Sequence, residues 1–112
     1  PDFLVVAGEA LAKKAAGVRI NCFGHLGDGN LHYNIMIADH DPATINTIVH
    51  DMVVKMGGSI SAEHGIGQYR VDELALRKSA EEMALCRTIK TALDPMDLMN
   101  PGKVLMSRPQ QV

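Results

Sequence analysis

The most regular patterning lies mid-chain. Ile45, Ile48, Val49, Met52, Val53 and Met56 recur at i, i+3, i+4 and i+7, which lines one face of a helix. Asp41 stands where it can cap that helix, Pro42 suits its first position, and Gly57-Gly58 ends it. Residues 3–16, rich in Ala, Leu and Val, predict an earlier helix that Gly17 stops from the left-handed C′ position. Between the two, Val18 to Phe23 and Leu31 to Ile37 are β-branched and apolar and predict two strands. They are separated by Gly27-Asp28-Gly29-Asn30, a strong turn signal.

Further along, Ser59 to Ala62 fits a short strand or an extended loop, and Gly65-Ile66-Gly67 a flexible turn. A short helix is expected from about Gln68 to Leu76. Ser79 and Glu82 form a capping box that opens a helix carrying Met83, Cys86, Ile89 and Leu93 and ending before Pro95. The fold class is therefore α+β: a β-hairpin with flanking helices, followed by a C-terminal helical segment.

The hairpin brings chemistry into the picture. A two-residue loop Asp28-Gly29 and a four-residue loop from Gly27 to Asn30 give the same register, and both put His25 opposite His32. Strand alternation then sorts the side chains. Ile20, Cys22, Leu26, Leu31, Tyr33, Ile35 and Ile37 share one face, the natural core face. Asn21, Phe23, His25, His32, Asn34 and Met36 share the other. Each histidine alone fits a hydrogen-bonded surface residue. Two facing each other across one turn favour a shared metal ion.

Glu63, in Ser61-Ala62-Glu63-His64-Gly65, is the candidate third ligand. Two imidazoles and one carboxylate suit zinc, manganese or ferrous iron with a position left open for substrate. His64 follows directly and could serve as a general base, since imidazole titrates near working pH. The competing reading of Glu63-His64 is an exposed loop pair. Asp28 is a further possible ligand whose place in the turn already accounts for it. His40, beside the helix cap, and His50, off the apolar stripe and expected to be solvated, are given no ligand role.

Composition narrows the classes. The chain has 112 residues, 46% hydrophobic and 21% charged, with a net charge of -2, which suits one globular domain. That balance leaves no footprint for nucleic acid. No apolar stretch is long enough for a transmembrane segment, and none reads as a signal peptide. The two cysteines, Cys22 and Cys86, are far apart and predict no disulfide framework, which points to a reducing compartment. The opening Pro1-Asp2-Phe3 fits a processed terminus or a piece of a longer protein, and Arg108 to Val112 a frayed polar tail. A piece that has lost its neighbours is expected to pair as a homodimer.

These residues carry a family resemblance. Gly24-His25-Leu26-Gly27-Asp28-Gly29-Asn30-Leu31-His32 resembles the GH-x-GDGN-x-H signature of the FAD-linked oxidases of the vanillyl-alcohol oxidase type. The D-lactate, D-2-hydroxyglutarate and glycolate dehydrogenases belong there. The stretch from Gly57 to Gly67 resembles that family's second site motif. Asp94-Pro95 through Asn100-Pro101-Gly102-Lys103-Val104-Leu105 resembles its C-terminal signature. The three fall in the family's order and cover about residues 20–105.

The resemblance implies a two-domain flavoenzyme in which an N-terminal domain binds FAD and a ferredoxin-like cap domain carries the substrate. This chain, 1–112, would be the C-terminal portion of the cap. The FAD-binding domain and the first half of the cap lie elsewhere, so the chain alone is expected to be inactive. Residue by residue, the family's metal ligands fall on His25, His32 and Glu63. Its substrate-contacting Asn falls on Asn34, its active-site His on His64, and an FAD contact on Asn100. Without the resemblance, Asn100-Pro101-Gly102 reads as a plain turn after a helix.

The implied reaction is FAD-dependent oxidation of a D-2-hydroxy acid, with a divalent metal polarising the substrate and His64 taking its hydroxyl proton. The cytoplasm or the mitochondrial matrix, peripheral to a membrane, is the implied location. Two other readings compete. One is a small metal-dependent hydrolase built on the same residues. The other is a non-catalytic interaction module with a structural or relic metal site.

Overall fold

The structure is a computed structural model that describes residues 2–37 and 39–107. The predicted polar tail, Arg108 to Val112, and the first residue, Pro1, lie outside the described residues. The chain divides into two compact units, Pro1–Ala62 and Glu63–Val112.

In the first unit the order is α1 (Asp2–Lys14), β1 (Arg19–His25), β2 (Asn30–Met36) and α2 (Pro42–Lys55). Helix α1 buries Ala7 and Leu11, and Ala15 one turn on, a narrow face at i, i+4 spacing. Asp2 in its first turn and Lys13 and Lys14 in its last match the helix dipole. Gly17 follows at φ +86°, the left-handed position expected of it. Helix α2 starts as predicted: the Asp41 carboxylate accepts from the Thr44 amide at 3.0 Å, with Pro42 in the first turn. It ends in a Schellman pair, Gly58 N–H donating to the Val53 carbonyl (2.8 Å) and Gly57 N–H to that of Val54 (2.9 Å). From Ser59 to Ala62 the chain is a loop, with the Ser59 hydroxyl donating to the Ser61 carbonyl at 3.0 Å.

The core of this unit is Leu11, Ala15, Ile45, Ile48 and Val49. Tyr33, Ile35 and Ile37 pack on it from the hairpin, and Phe3, Ala10 and Val18 from α1 and its exit. Phe3 meets Tyr33 edge-on, with ring centroids 5.4 Å apart. The predicted core face of the hairpin is thus the one that packs. Burial raises the Tyr33 phenol and the Cys22 thiol above their ordinary pKa values, Cys22 adding to the shift of Tyr33. His40 ties the unit together by donating from Nε2 to the Ala16 carbonyl at 3.0 Å, which satisfies one of the last carbonyls after α1.

Two expectations fail here. His50 is buried, 9% exposed, where solvation was expected. Helix α2 is covered over a wider arc than its apolar stripe, so stripe arithmetic misplaced it. The hairpin register also differs. Strands β1 and β2 pair antiparallel with Phe23 opposite His32, Gly24 opposite Leu31 and His25 opposite Asn30. The loop is Leu26 to Gly29, closed by a single 3₁₀ turn with Gly29 at φ +62°. Its N–H points to the Leu26 carbonyl at 3.4 Å. Leu26, 97% exposed, belongs to the loop and not to the core face. The slip moves every partner by two positions, so each strand residue keeps its face.

The second unit holds α3 (Val71–Arg77) and α4 (Ala80–Leu93). Helix α3 starts later than expected because residues 67–70 form a turn. Val71 and Leu74 are its buried pair, and Glu73 bonds Arg77 at 3.0 Å one turn on. The capping box at the start of α4 is present in both directions, Ser79 with Glu82. After α4, the buried Asp94 carboxylate accepts from the Leu98 and Met99 amides (3.0 and 2.8 Å) and from Lys90. This folds residues 94–99 into a closed turn.

Candidate functional site

His25 is the last residue of β1 and His32 the third of β2. In the observed register they are diagonal neighbours, not opposite partners. Their imidazoles still meet, with ring centroids 5.9 Å apart at an interplanar angle of 62°. Metal–nitrogen bonds of about 2.0–2.1 Å put two imidazoles that share one ion roughly 5–6 Å apart between centroids, so the pair fits a common ion. Asn34 lies on the same strand face, opposite Asn21 and exposed. The face that carries the two histidines is the one turned away from the core.

Gly24 makes this geometry available. A Cβ placed there would stand 2.1 Å from the Asn30 carbonyl oxygen, an impossible contact. The backbone of the two strands closes together just before the turn, and only glycine fits between the histidines' neighbours. Asp28 sits in the 3₁₀ turn, exposed.

The sequence reasoning gave Phe23 no role. Its ring stacks on His32, with centroids 4.8 Å apart and planes within 12°. The signal was present, because strand alternation put Phe23 on the histidine face. Only the true register shows that it is the direct partner of His32.

The other candidates head the second unit. Glu63 and His64 are exposed and lie in a bend. Gly65 and Gly67 follow at φ +71° and +58°, both left-handed, which explains the glycine spacing. The Gly67 carbonyl accepts from the Val104 amide at 2.8 Å, and Lys103 donates to the Gln68 side chain. The segment that carries Asn100 is therefore bonded to the loop that follows His64. Asn100 itself is left-handed at φ +50°, which asparagine tolerates. Val104, β-branched, holds φ +64°, a strained backbone position.

The family of the FAD linked oxidases, C-terminal domain, matches residues 1–104. The chain belongs to this family. Among its relatives is the D-2-hydroxyglutarate dehydrogenase of Stutzerimonas stutzeri, 39% identical over 112 residues, which covers 93% of this chain and 24% of that protein. The enzyme of the same name from Xanthomonas citri pv. viticola is 47% identical, with the same coverage of 93% and 24%. The mitochondrial D-2-hydroxyglutarate dehydrogenase of Arabidopsis thaliana is 46% identical over 86 residues, 74% of this chain and 15% of that protein. The chain thus spans about a quarter or less of the curated relatives it matches.

For this FAD-linked oxidase domain the membership accounts for the order of the three motifs along the chain. It also names FAD as the cofactor of the family. Among the described residues no helix is long and apolar enough to cross a membrane.

Proposed function

We propose that the chain is the substrate-facing part of an FAD-dependent D-2-hydroxy acid dehydrogenase whose metal is held by His25, His32 and Glu63. The observation that carries this is the pair of imidazoles, 5.9 Å apart on a sheet face turned away from the core, with Asn34 beside them. A polar face of that kind has little structural use and suits an anionic, oxygen-rich ligand. The names of the relatives make D-2-hydroxyglutarate the first substrate to try. D-lactate and glycolate follow.

In this reading His25 and His32 bind through neutral imidazole nitrogens and Glu63 through its carboxylate. When bound, the metal would supply Lewis acidity at the substrate's oxygens, and FAD would supply the acceptor for the substrate's α-hydrogen together with its two electrons. Asn34 hydrogen-bonds the substrate and orients it. His64 accepts the proton of the substrate hydroxyl, and the flexible glycines after it let the backbone adjust around the ligand. Asn100, which follows the turn after α4, would contact FAD. The remainder of the parent protein supplies the FAD-binding domain and the groups that clamp the substrate carboxylate. The chain by itself pairs as a homodimer over the surface its missing neighbours would cover, and the parent works in the cytoplasm, or in the mitochondrial matrix of a eukaryote.

The test uses the full-length parent. Metal is measured in it and in its His25→Ala variant, and flavin reduction is followed with D- and L-2-hydroxyglutarate. The expected result is near-stoichiometric metal that the variant loses, with reduction by the D-acid alone. A metal-free parent that reduces its flavin at full rate would remove the metal from the mechanism. Preference for the L-acid would overturn the substrate assignment.

A further inference from the structure

We propose that Phe23 is a positioning residue for the metal-binding pair: its ring lies flat on the His32 imidazole and holds it at the angle at which it shares an ion with His25. The inference rests on the metal reading of the histidines and extends it to a residue that does not itself ligate.

The argument starts from what an imidazole on an open sheet face is free to do. Rotation about the last side-chain torsion has a broad, shallow profile for histidine. An unsupported ring on a two-stranded hairpin would sample many angles and offer its nitrogen in many directions. His32 is not unsupported. Phe23, its cross-strand partner, stacks on it with planes within 12° and centroids 4.8 Å apart, inside the range of favourable offset stacking. His32 is half-buried while His25, at the strand end, is exposed, as expected when one ring face is covered.

The benzene ring has no polar atom to compete for an ion. Its own energetic interest is to keep contact with a flat neighbour. It therefore restricts the His32 plane without covering the ring edge, which carries the nitrogens. The ligand nearer the turn, His25, can then adjust to a fixed partner. Residues that orient metal-binding histidines are usually hydrogen-bond acceptors, and an aromatic face can contribute to the same task.

Phe23 is 54% exposed in this chain. Its burial is not needed by the core, which packs on the opposite face of the hairpin. Replacing it should therefore leave the fold standing.

The experiment uses the full-length holoenzyme and two variants, Phe23→Leu and Phe23→Tyr. Zn²⁺ affinity is measured by competition with a chromophoric chelator, and the Co²⁺-substituted proteins are compared by their visible absorption bands. Phe23→Leu should bind Zn²⁺ about tenfold more weakly, at the low end for loss of an orienting partner, and should shift and broaden the Co²⁺ bands. Phe23→Tyr, which keeps the ring, should restore both. Thermal unfolding of Phe23→Leu should match the parent.

A Phe23→Leu protein with the parent's Zn²⁺ affinity and Co²⁺ spectrum overturns the proposal. So does a Phe23→Tyr protein as impaired as the leucine variant. A change in substrate KM with unchanged metal binding would make Phe23 a wall of the substrate site and would overturn it too. Failure of the underlying reading looks different: the parent binds no metal, or His25→Ala and His32→Ala bind it as well as the parent does.

Discussion

His32 pairs across the hairpin with Phe23, and His25 reaches it only on the diagonal. The two imidazoles sit 5.9 Å apart while the direct partners stack at 4.8 Å. The consequence is asymmetry between the two histidines. His32 is held by an aromatic neighbour, whereas His25 ends its strand beside the turn.

Gly24 should be the least replaceable residue of the hairpin. Gly24→Ala would drive a methyl to 2.1 Å from a backbone oxygen, and backbone cannot swing aside as a side chain can. Overpacking of this kind costs about 1–3 kcal/mol or more. The expected outcome in the parent protein is a lower Tm together with loss of metal. Gly8→Ala is the control. Gly8 lies inside α1, and an added Cβ meets nothing within 4 Å. Helix propensity makes that change neutral or stabilising by about 0.5–1 kcal/mol. Paired thermal melts decide the matter, and equal effects of the two alanines would refute the clash.

Leu11 tests the core of the first unit. It is fully buried among Ala15, Ile45, Ile48 and Val49. Leu11→Ala removes packed methyls and leaves a cavity, which costs about 2–5 kcal/mol. Denaturant unfolding of the parent should show a lower midpoint. Metal bound per folded molecule should stay at the parent's level, because the histidines lie on the other face.

The local signals in the sequence were strong where one residue's chemistry decides an outcome. Asp41 with Pro42, Gly57-Gly58 and the Ser79–Glu82 box set the ends of α2 and the start of α4 without help from the rest of the chain. Alternation likewise sorted the hairpin faces, and a slip of two positions could not spoil that sorting. The register itself was not legible. The Gly-Asp-Gly-Asn stretch announces a turn, but whether Leu26 closes the ladder or joins the loop depends on the 3₁₀ geometry that Gly29 permits. His50 was misread because exposure is decided by everything that covers a helix, not by its own stripe. Phe23 was invisible as a partner of His32 for the same reason as the register.

His64 separates chemistry from binding. If it takes the substrate's hydroxyl proton, His64→Asn removes the base but keeps a hydrogen-bonding group of similar size. The full-length variant should hold metal at the parent's stoichiometry and lose most of its rate, a drop of roughly 10²–10⁴-fold for a missing general base. Metal analysis and stopped-flow flavin reduction on the same preparation give both numbers. An unchanged rate would remove His64 from the base role.

Asp94 links the C-terminal turn to acid stability. The hydrogen bond from Lys90 and the amides of Met99 and Leu98 stabilise its ionised form and pull its pKa down to about 2. A carboxylate whose folded-state pKa is depressed contributes stability that is fully present above its ordinary value near 3.8. That contribution fades as pH falls toward 2, when the folded state must also take up the proton. The comparison is between the parent and Asp94→Asn, which keeps the shape and loses the charge. Their Tm difference should be constant from neutral pH down to about pH 5, then shrink between about pH 4 and pH 2. Melts across that range read it directly. A difference that persists unchanged to pH 2 would mean that it does not come from the charge of Asp94, and no difference at any pH would mean that the turn is held by the shape of the side chain alone.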